Sequence, residues 1–416
     1  MKQEVINIAK QAQEASRALG NLSTEKKNKA LLAMANALVK NAAYIKKENA
    51  KDARFAKSIG KSSAFVDRLL LDDKRIVKMA DGLRQVARLK DPVGDIMKSW
   101  KRPNGLLIKK VRVPIGVIGI IYESRPDVTS DCISLCLKSG NAVILRGGKE
   151  SIHSNIAIFE TLKKAASKCG LPSGSFNLIK RTEHEAVKFL LGLNDYIDLI
   201  IPRGGEALIR EVVKYSKIPV IKHYKGVCHT YVDKDADINM AMKVCFNAKV
   251  QRPATCNAME TMLVHESIAK KFLPAMTRKF KDAGVEIRGC AKTRKIVSGV
   301  KQAKESDWGT EFLALILAVK VVKNLEEAIA HITRYGTKHS DAIITRNKKA
   351  AEEFLNRIDA ACVFLNTSTR FTDGNQFGMG AEIGISTDKI HARGPMALEE
   401  LCSYKYKIYG KGQLRN

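Results

Sequence analysis

No stretch of about 18 consecutive apolar residues occurs in this chain, so no segment reads as a membrane-spanning helix. The opening Met1-Lys2-Gln3-Glu4 leads into mixed sequence without the apolar core of a signal peptide, and the expected location is the cytoplasm. The nine cysteines are an odd number without a C-x-x-C pair, which argues for reduced thiols rather than a disulfide framework. Cys132 and Cys136 stand four apart with no second pair of matching spacing. They read as core, and no metal site is expected. Aromatic residues make up only 6%, too few for the stacking platforms of a single-strand nucleic-acid binder. No G-x-G-x-x-G dinucleotide fingerprint is present. Acidic residues are in deficit, 43 against 72 Lys plus Arg, for a formal charge of +29. The basic residues are spread in short pairs such as Lys26-Lys27, Lys46-Lys47 and Lys163-Lys164, with no basic tail. A lysine-rich solvated surface that draws in anionic small molecules accounts for this better than a nucleic-acid partner does.

With 416 residues, 45% of them hydrophobic, the chain can fill two cores. Residues 1 to about 100 read as helices. Ser23-Thr24-Glu25 is an N-cap ahead of Leu31, Leu32, Met34, Ala35, Leu38 and Val39, a second helix runs from Ala42 to a stop at Gly60, and a third carries Val66 through Leu83. From Leu106 to Ile121 the sequence turns β-branched, broken at Pro114-Ile115-Gly116. Apolar runs at Ala142–Leu145, Phe176–Ile179, Ile197–Ile201 and Val220-Ile221 then alternate with helical patterns. That alternation predicts βαβ units in a parallel, doubly wound α/β sheet, whose ligands bind beyond the carboxyl ends of its strands. The expected division is 1–221 for a cofactor domain with a β-arm around 106–121, 222–393 for a catalytic domain, and 394–416 for an oligomerisation segment.

Two strand ends carry glycine pairs, Arg146-Gly147-Gly148 and Arg203-Gly204-Gly205, the second opening a helix. Absent β-carbons and a helix N-terminus suit a phosphate, although a Gly-Gly pair is more often a plain turn. In Gln251-Arg252-Pro253-Ala254-Thr255-Cys256-Asn257, a cysteine sits in a polar turn before the apolar Met262-Leu263-Val264. Lys249 and Arg252 would favour its thiolate if they face it. A lone cysteine is more often packing than nucleophile. His229, in a predicted strand, reads as a structural hydrogen-bonder. The glycine-dense stretch around Gly374–Gly384 predicts a loop wrapped around a ligand, with Ser368, Thr369 and Arg370 suited to a carboxylate or phosphate. A structural ion pair accounts equally well for Arg370.

The whole string Gln251–Thr261 closely resembles the active-site segment of the γ-glutamyl phosphate reductase family, a branch of the aldehyde dehydrogenase superfamily. Tyr122-Glu123-Ser124-Arg125-Pro126, Leu135–Gly148, His331–Ile344, Asn366–Gly374 and Phe377–Thr387 share the resemblance, which runs from about residue 4 to 410. It implies an aldehyde-dehydrogenase-like fold with a Rossmann-type cofactor domain, an α/β catalytic domain and a small oligomerisation arm. It also implies NADPH-dependent reduction of L-glutamyl 5-phosphate to L-glutamate 5-semialdehyde, a step of proline synthesis, through a thioester on Cys256. Asn257 or Ser124 would steady the oxyanion. Arg146, Gly147, Gly148, Arg203, Gly204, Gly205 and Glu311 would hold the cofactor, and Arg125, Arg252, Ser368, Thr369 and Arg370 the substrate. Ile221–Gly226 lacks the water-activating glutamate of aldehyde-oxidising relatives, as suits a reductive enzyme. The resemblance further implies a homo-oligomer, a glutamate 5-kinase as the supplier of the acyl phosphate, and a reductase not fused to that kinase. Asp127 departs from the family's asparagine and would repel a phosphate if it faced one. Two rivals are an aldehyde-oxidising member of the superfamily and a basic nucleic-acid or scaffold protein on a retired enzyme fold.

Overall fold

The computed structural model describes residues 1–415, which form two compact units interleaved in sequence. The first takes Met1–Lys222, Gly378–Gly384 and the stretch from Met396 onward; the second takes His223–Phe377 and Ile385–Pro395.

The first unit opens with α1 (Lys2–Leu19), α2 (Thr24–Lys40), α3 (Ala42–Ser58), α4 (Ser63–Leu69) and α5 (Asp73–Arg88). Ser23 caps α2, its side chain accepting the Lys26 N–H at 3.2 Å. Gly60, at φ +72°, takes the left-handed turn after α3 that a β-carbon would disfavour. The single helix expected over Val66 to Leu83 is in fact two. Leu70 is extended and Asp72 starts a new helix by accepting the Arg75 N–H at 2.7 Å. Asn49 of α3 secures the break, donating to the Leu69 carbonyl at 2.9 Å and accepting the Leu71 N–H at 2.8 Å. Helix also ends at Arg88 rather than near residue 100, because Ile96–Lys101 forms β1, antiparallel to β2 (Leu107–Pro114).

The stretch expected as one arm over 106–121 serves two sheets. β2 lies in the antiparallel arm, whereas β3 (Val117–Tyr122) is wholly buried at the centre of a parallel sheet. Gly116 makes the turn between them at φ +133°, and Asp198 anchors it by accepting the Val117 N–H at 2.7 Å. After β3 come α6 (Asp127–Lys138), β4 (Ala142–Arg146), α7 (Ile152–Lys168), β5 (Phe176–Leu178), α8 (His184–Leu191), β6 (Leu199–Arg203) and α9 (Glu206–Tyr215). The parallel strands lie in the order β5-β4-β3-β6. The winding direction therefore reverses at β3, which opens a crevice beyond the carboxyl ends of β3 and β6. Val220, expected in a strand, makes only a lone bridge to Ile200. Burying an isoleucine such as Ile118 or Ile120 contributes roughly 1.5–3 kcal/mol, which is why β3 and β4 tolerate no polar interruption. Cys402–Tyr409 pairs with β2 and completes the three-stranded arm.

The second unit contains β7 (Cys228–Val232), α10 (Ile238–Val250), β8 (Met259–His265), α11 (Glu266–Asp282), β9 (Glu286–Gly289), α12 (Ala291–Ile296), β10 (Lys301–Gln302), β11 (Ile316–Val322), α13 (Leu325–Tyr335), β12 (Ser340–Ile344), α14 (Lys348–Arg357) and β13 (Cys362–Leu365). These strands form one parallel sheet in the order β10-β9-β11-β8-β7-β12-β13. Successive side chains of β8 face opposite layers: Met262 and Val264 pack with Phe272, Met276 and Phe280 of α11, and Leu263 packs with Ile329, Ile332 and Phe354.

Candidate active site

Cys256 lies in the turn just before β8, at the amino-terminal edge of the second unit's sheet. It is half-buried, unlike Cys132, Cys136, Cys228 and Cys245, whose thiols burial pushes up. Gly226, leading into β7, runs so close beneath the turn that any β-carbon there would overlap the Cys256 carbonyl oxygen. The Cys228 thiol donates to that same carbonyl at 3.2 Å. Glu311 accepts the Gly226 N–H at 2.9 Å.

Of the two expected cations, Lys249 is spent elsewhere. It is fully buried and ion-paired with Glu260. Burial pulls both partners toward their neutral forms, lifting the Glu260 carboxyl to about 7. Arg252 is exposed on the cysteine loop itself. Arg370 is a cation coupled to Cys256: burial and the charge of Arg252 lower its guanidinium pKa, and Cys256 acts in the opposite sense. Since that coupling is mutual, Arg370 favours the thiolate.

Asn257 holds Arg370 rather than facing outward to an oxyanion. Its amide nitrogen donates to the Thr372 carbonyl at 2.9 Å and the Arg370 carbonyl at 3.4 Å. Its amide oxygen accepts from the Arg370 guanidinium and from Thr255 Oγ1. Thr369 donates to the Asn257 carbonyl at 2.7 Å, Ser368 accepts the Arg370 N–H at 3.3 Å, and Arg370 Nε reaches Gln251 at 2.9 Å. The expected trio Ser368, Thr369 and Arg370 is thus folded onto the cysteine turn. Beside it opens a polar pocket of about 360 Å³ lined by Asn247, Gln251, Arg370, Phe371, Asp373 and Gln376, the size of a small-metabolite site.

Two histidines that the sequence pattern did not single out stand at the cysteine. Ligand atoms of His223, Cys256 and His339 all lie within 4.8 Å of one another. His229 is instead structural, with its N–H and Nδ1 both on Asp341 Oδ1, at 2.9 and 3.2 Å.

At the carboxyl edge of the first unit's sheet, β4 ends in Arg146, followed by Gly147 and Gly148, and β6 ends in Arg203, followed by Gly204 and Gly205. Arg146 is buried. It donates to the Gly147 and Thr182 carbonyls at 3.2 and 2.8 Å, and its Nε has no partner. Glu123, passed over in the sequence, accepts the Gly205 N–H at the start of α9 at 3.0 Å, and a side chain at Gly204 would strike that carboxylate. Ser124 donates to Glu150 at 3.0 Å, and Arg125 is exposed. Asp127 is the first residue of α6, where its charge complements the helix dipole and raises the neighbouring Asp131 carboxyl, already lifted by burial, to about 7.

The family model described as the aldehyde dehydrogenase family matches residues 1–293. An acetylating aldehyde dehydrogenase from Geobacillus thermoglucosidasius shares the fold at a TM-score of 0.71 and 19% identity, over 100% of this chain and 98% of that one. The chain belongs to the aldehyde dehydrogenase family. A γ-glutamyl phosphate reductase of Thermodesulfovibrio yellowstonii is 57% identical over 100% of this chain and 99% of its own. The crystal structure of the Thermotoga maritima γ-glutamyl phosphate reductase superposes at a TM-score of 0.98 with 48% identity, covering 99% of this chain and 100% of that one. Within its family, the chain belongs to the γ-glutamyl phosphate reductases.

Proposed function

We propose that the chain reduces L-glutamyl 5-phosphate to L-glutamate 5-semialdehyde and phosphate, using NADPH, with Cys256 as nucleophile. The observation that carries this reading is the Cys256 turn, clamped by Gly226 and by the Asn257–Thr369 contacts, with Arg370 held against it beside a polar pocket. The Cys256 thiolate attacks the acyl carbon, the carbon–oxygen bond to phosphate breaks, and phosphate leaves. The backbone N–H of Cys256 steadies the oxyanion, and Ser124 or Asn257 can do so only by giving up its present bond. In the pocket, Arg370 takes an anionic group of the glutamyl phosphate and Asp373 the α-ammonium. Arg252 and Arg125, both exposed, add positive charge for the phosphate.

The first unit's crevice fits a dinucleotide. The buried Arg146 Nε lacks a partner, and the Gly204-Gly205 pair opens α9, whose first N–H groups suit a pyrophosphate once Glu123 releases the Gly205 N–H. Arg146, Gly147, Gly148, Arg203, Gly204 and Gly205 would hold it, with Glu311 for the nicotinamide ribose. When bound, the cofactor would supply a hydride to the thioester carbonyl carbon, leaving a hemithioacetal oxyanion on Cys256 that holds the aldehyde carbon. Collapse then breaks the carbon–sulfur bond and returns Cys256 as thiolate. The cytoplasm as location and a kinase that delivers the acyl phosphate complete the reading. Among the described residues no helix is long and apolar enough to cross a membrane.

The test runs the reaction backwards: NADP⁺ reduction with glutamate 5-semialdehyde, with and without inorganic phosphate. Strict phosphate dependence is expected, together with complete loss of turnover in Cys256→Ala and retained NADPH binding. Equal rates without phosphate would show that water releases the thioester and would replace this reading with aldehyde oxidation.

A further inference from the structure

We propose that His223, Cys256 and His339 form a binding site for a thiophilic divalent cation, Zn²⁺, which caps the reactive cysteine. The three residues come from separate segments: the lead-in to β7, the turn before β8 and the residue before β12. Their ligand atoms lie within 4.8 Å of one another. A tetrahedral zinc with bonds of about 2.0–2.3 Å separates its ligand atoms by roughly 3.3–3.8 Å, so side-chain rotation of about an ångström closes the site.

Both imidazoles have an outer hydrogen-bond partner at Nδ1, and for His223 that partner fixes the ring as a metal-binding one. His223 Nδ1 lies 2.6 Å from the Ile385 carbonyl, which can only accept. The proton is therefore on Nδ1, and Nε2 carries the lone pair. His339 Nδ1 lies 2.9 Å from Ser340 Oγ, itself 2.6 Å from Thr372 Oγ1. The His339 Nε2 is buried without a hydrogen-bond partner, an arrangement that usually costs stability and that a metal bond would resolve. The rings meet nearly edge-on, with centroids 5.4 Å apart and planes 73° apart, which lets their nitrogens converge from different directions. Two imidazoles and a thiolate with a fourth position for water make a donor set that Zn²⁺ prefers over Mg²⁺.

Binding forms a Zn–S bond and releases the thiol proton of any Cys256 that was protonated, so occupancy rises with pH. A capped sulfur cannot attack an acyl carbon. The cation is an inhibitor that also shields the thiol from alkylation and oxidation. The inference does not depend on which acyl group the enzyme uses.

The test is alkylation of Cys256 by iodoacetamide, followed by peptide mass spectrometry on metal-stripped protein. Micromolar Zn²⁺ is expected to slow modification at least tenfold, EDTA to restore it, and Mg²⁺ to do nothing. His223→Ala and His339→Asn should each raise the Zn²⁺ required by roughly tenfold or more. Should either substitution disturb folding, Co²⁺ added to the unaltered protein gives a second readout. A thiolate-to-cobalt absorption band is expected, and it should be absent in Cys256→Ser. No protection by Zn²⁺, equal protection in both histidine variants, or a cobalt band that survives Cys256→Ser would each overturn the proposal.

Discussion

Arg370 is the cation that Asn257 and Gln251 hold against the cysteine turn. Replacing it with glutamine leaves the pocket's shape nearly intact but removes the charge that favours the thiolate. The alkylation rate of Cys256 at neutral pH is expected to fall, its pH profile to move upward, and kcat/KM to drop by about two orders of magnitude. Gly226→Ala forces the Cys256 carbonyl aside and should cost activity without touching any reacting group, a loss separable by unchanged NADPH binding. Glu123→Gln removes a carboxylate from the start of α9, where a pyrophosphate would meet it. Titration of NADPH by fluorescence should show roughly two- to fivefold tighter binding, and weaker binding would contradict the like-charge argument. The positions of the cysteine turn and the glycine pairs could be read from sequence because each borders a short apolar run that forms a strand, β8, β4 or β6. His223 and His339 could not. They stand 116 positions apart, and only the pairing of β7 with β12 brings them to one edge. Lys249 misled for the opposite reason: its nearness in sequence to Cys256 says nothing of the buried Glu260 that claims it.

Element boundaries were legible where a cap or a glycine marks them, as at Ser23 and Gly60. They were misread where tertiary partners decide. Asn49 splits the expected third helix from a distance of 22 residues, and no local pattern shows it. Asp52 of α3 works similarly on α7, accepting the His153 and Ser154 N–H groups at 3.2 and 2.7 Å at that helix's first turn. Asp52→Ala should cost about 1–2 kcal/mol, read as a lower Tm, because it leaves the buried Ser154 N–H and hydroxyl and the half-buried His153 N–H unmet. The arm strand Cys402–Tyr409 exposes Tyr404, Tyr406, Ile408 and Tyr409. A homo-oligomer built on that face predicts that Tyr406→Lys with Ile408→Lys shifts sedimentation toward the monomer.

Charge acts over the whole molecule. With a net +29, attraction of a phosphorylated substrate is screened by salt, so kcat/KM should fall as ionic strength rises while kcat changes little. Acid should act through buried imidazoles. Burial holds His331 down at about 2, whereas the unfolded chain binds that proton below about 6.5. The unfolded state thus carries the extra proton, and the stability present above 6.5 is lost as pH falls, by at most about 1.4 kcal/mol per pH unit for this group. Scanning calorimetry between pH 7.5 and 4.5 should show the slope flatten in His331→Asn.

The first unit's arm joins β2 to Cys402–Tyr409, and Arg112 reaches Glu399 across a separation of 287 residues. A ribosome therefore delivers every strand of the second unit's sheet before the first unit can close. The first unit's parallel sheet, complete by Arg203, has the earlier opportunity to fold, while the Leu107–Pro114 edge of its arm waits unpaired on one side until Cys402–Tyr409 is made. Slow translation or truncation ahead of Cys402 would prolong that wait and expose the edge to aggregation.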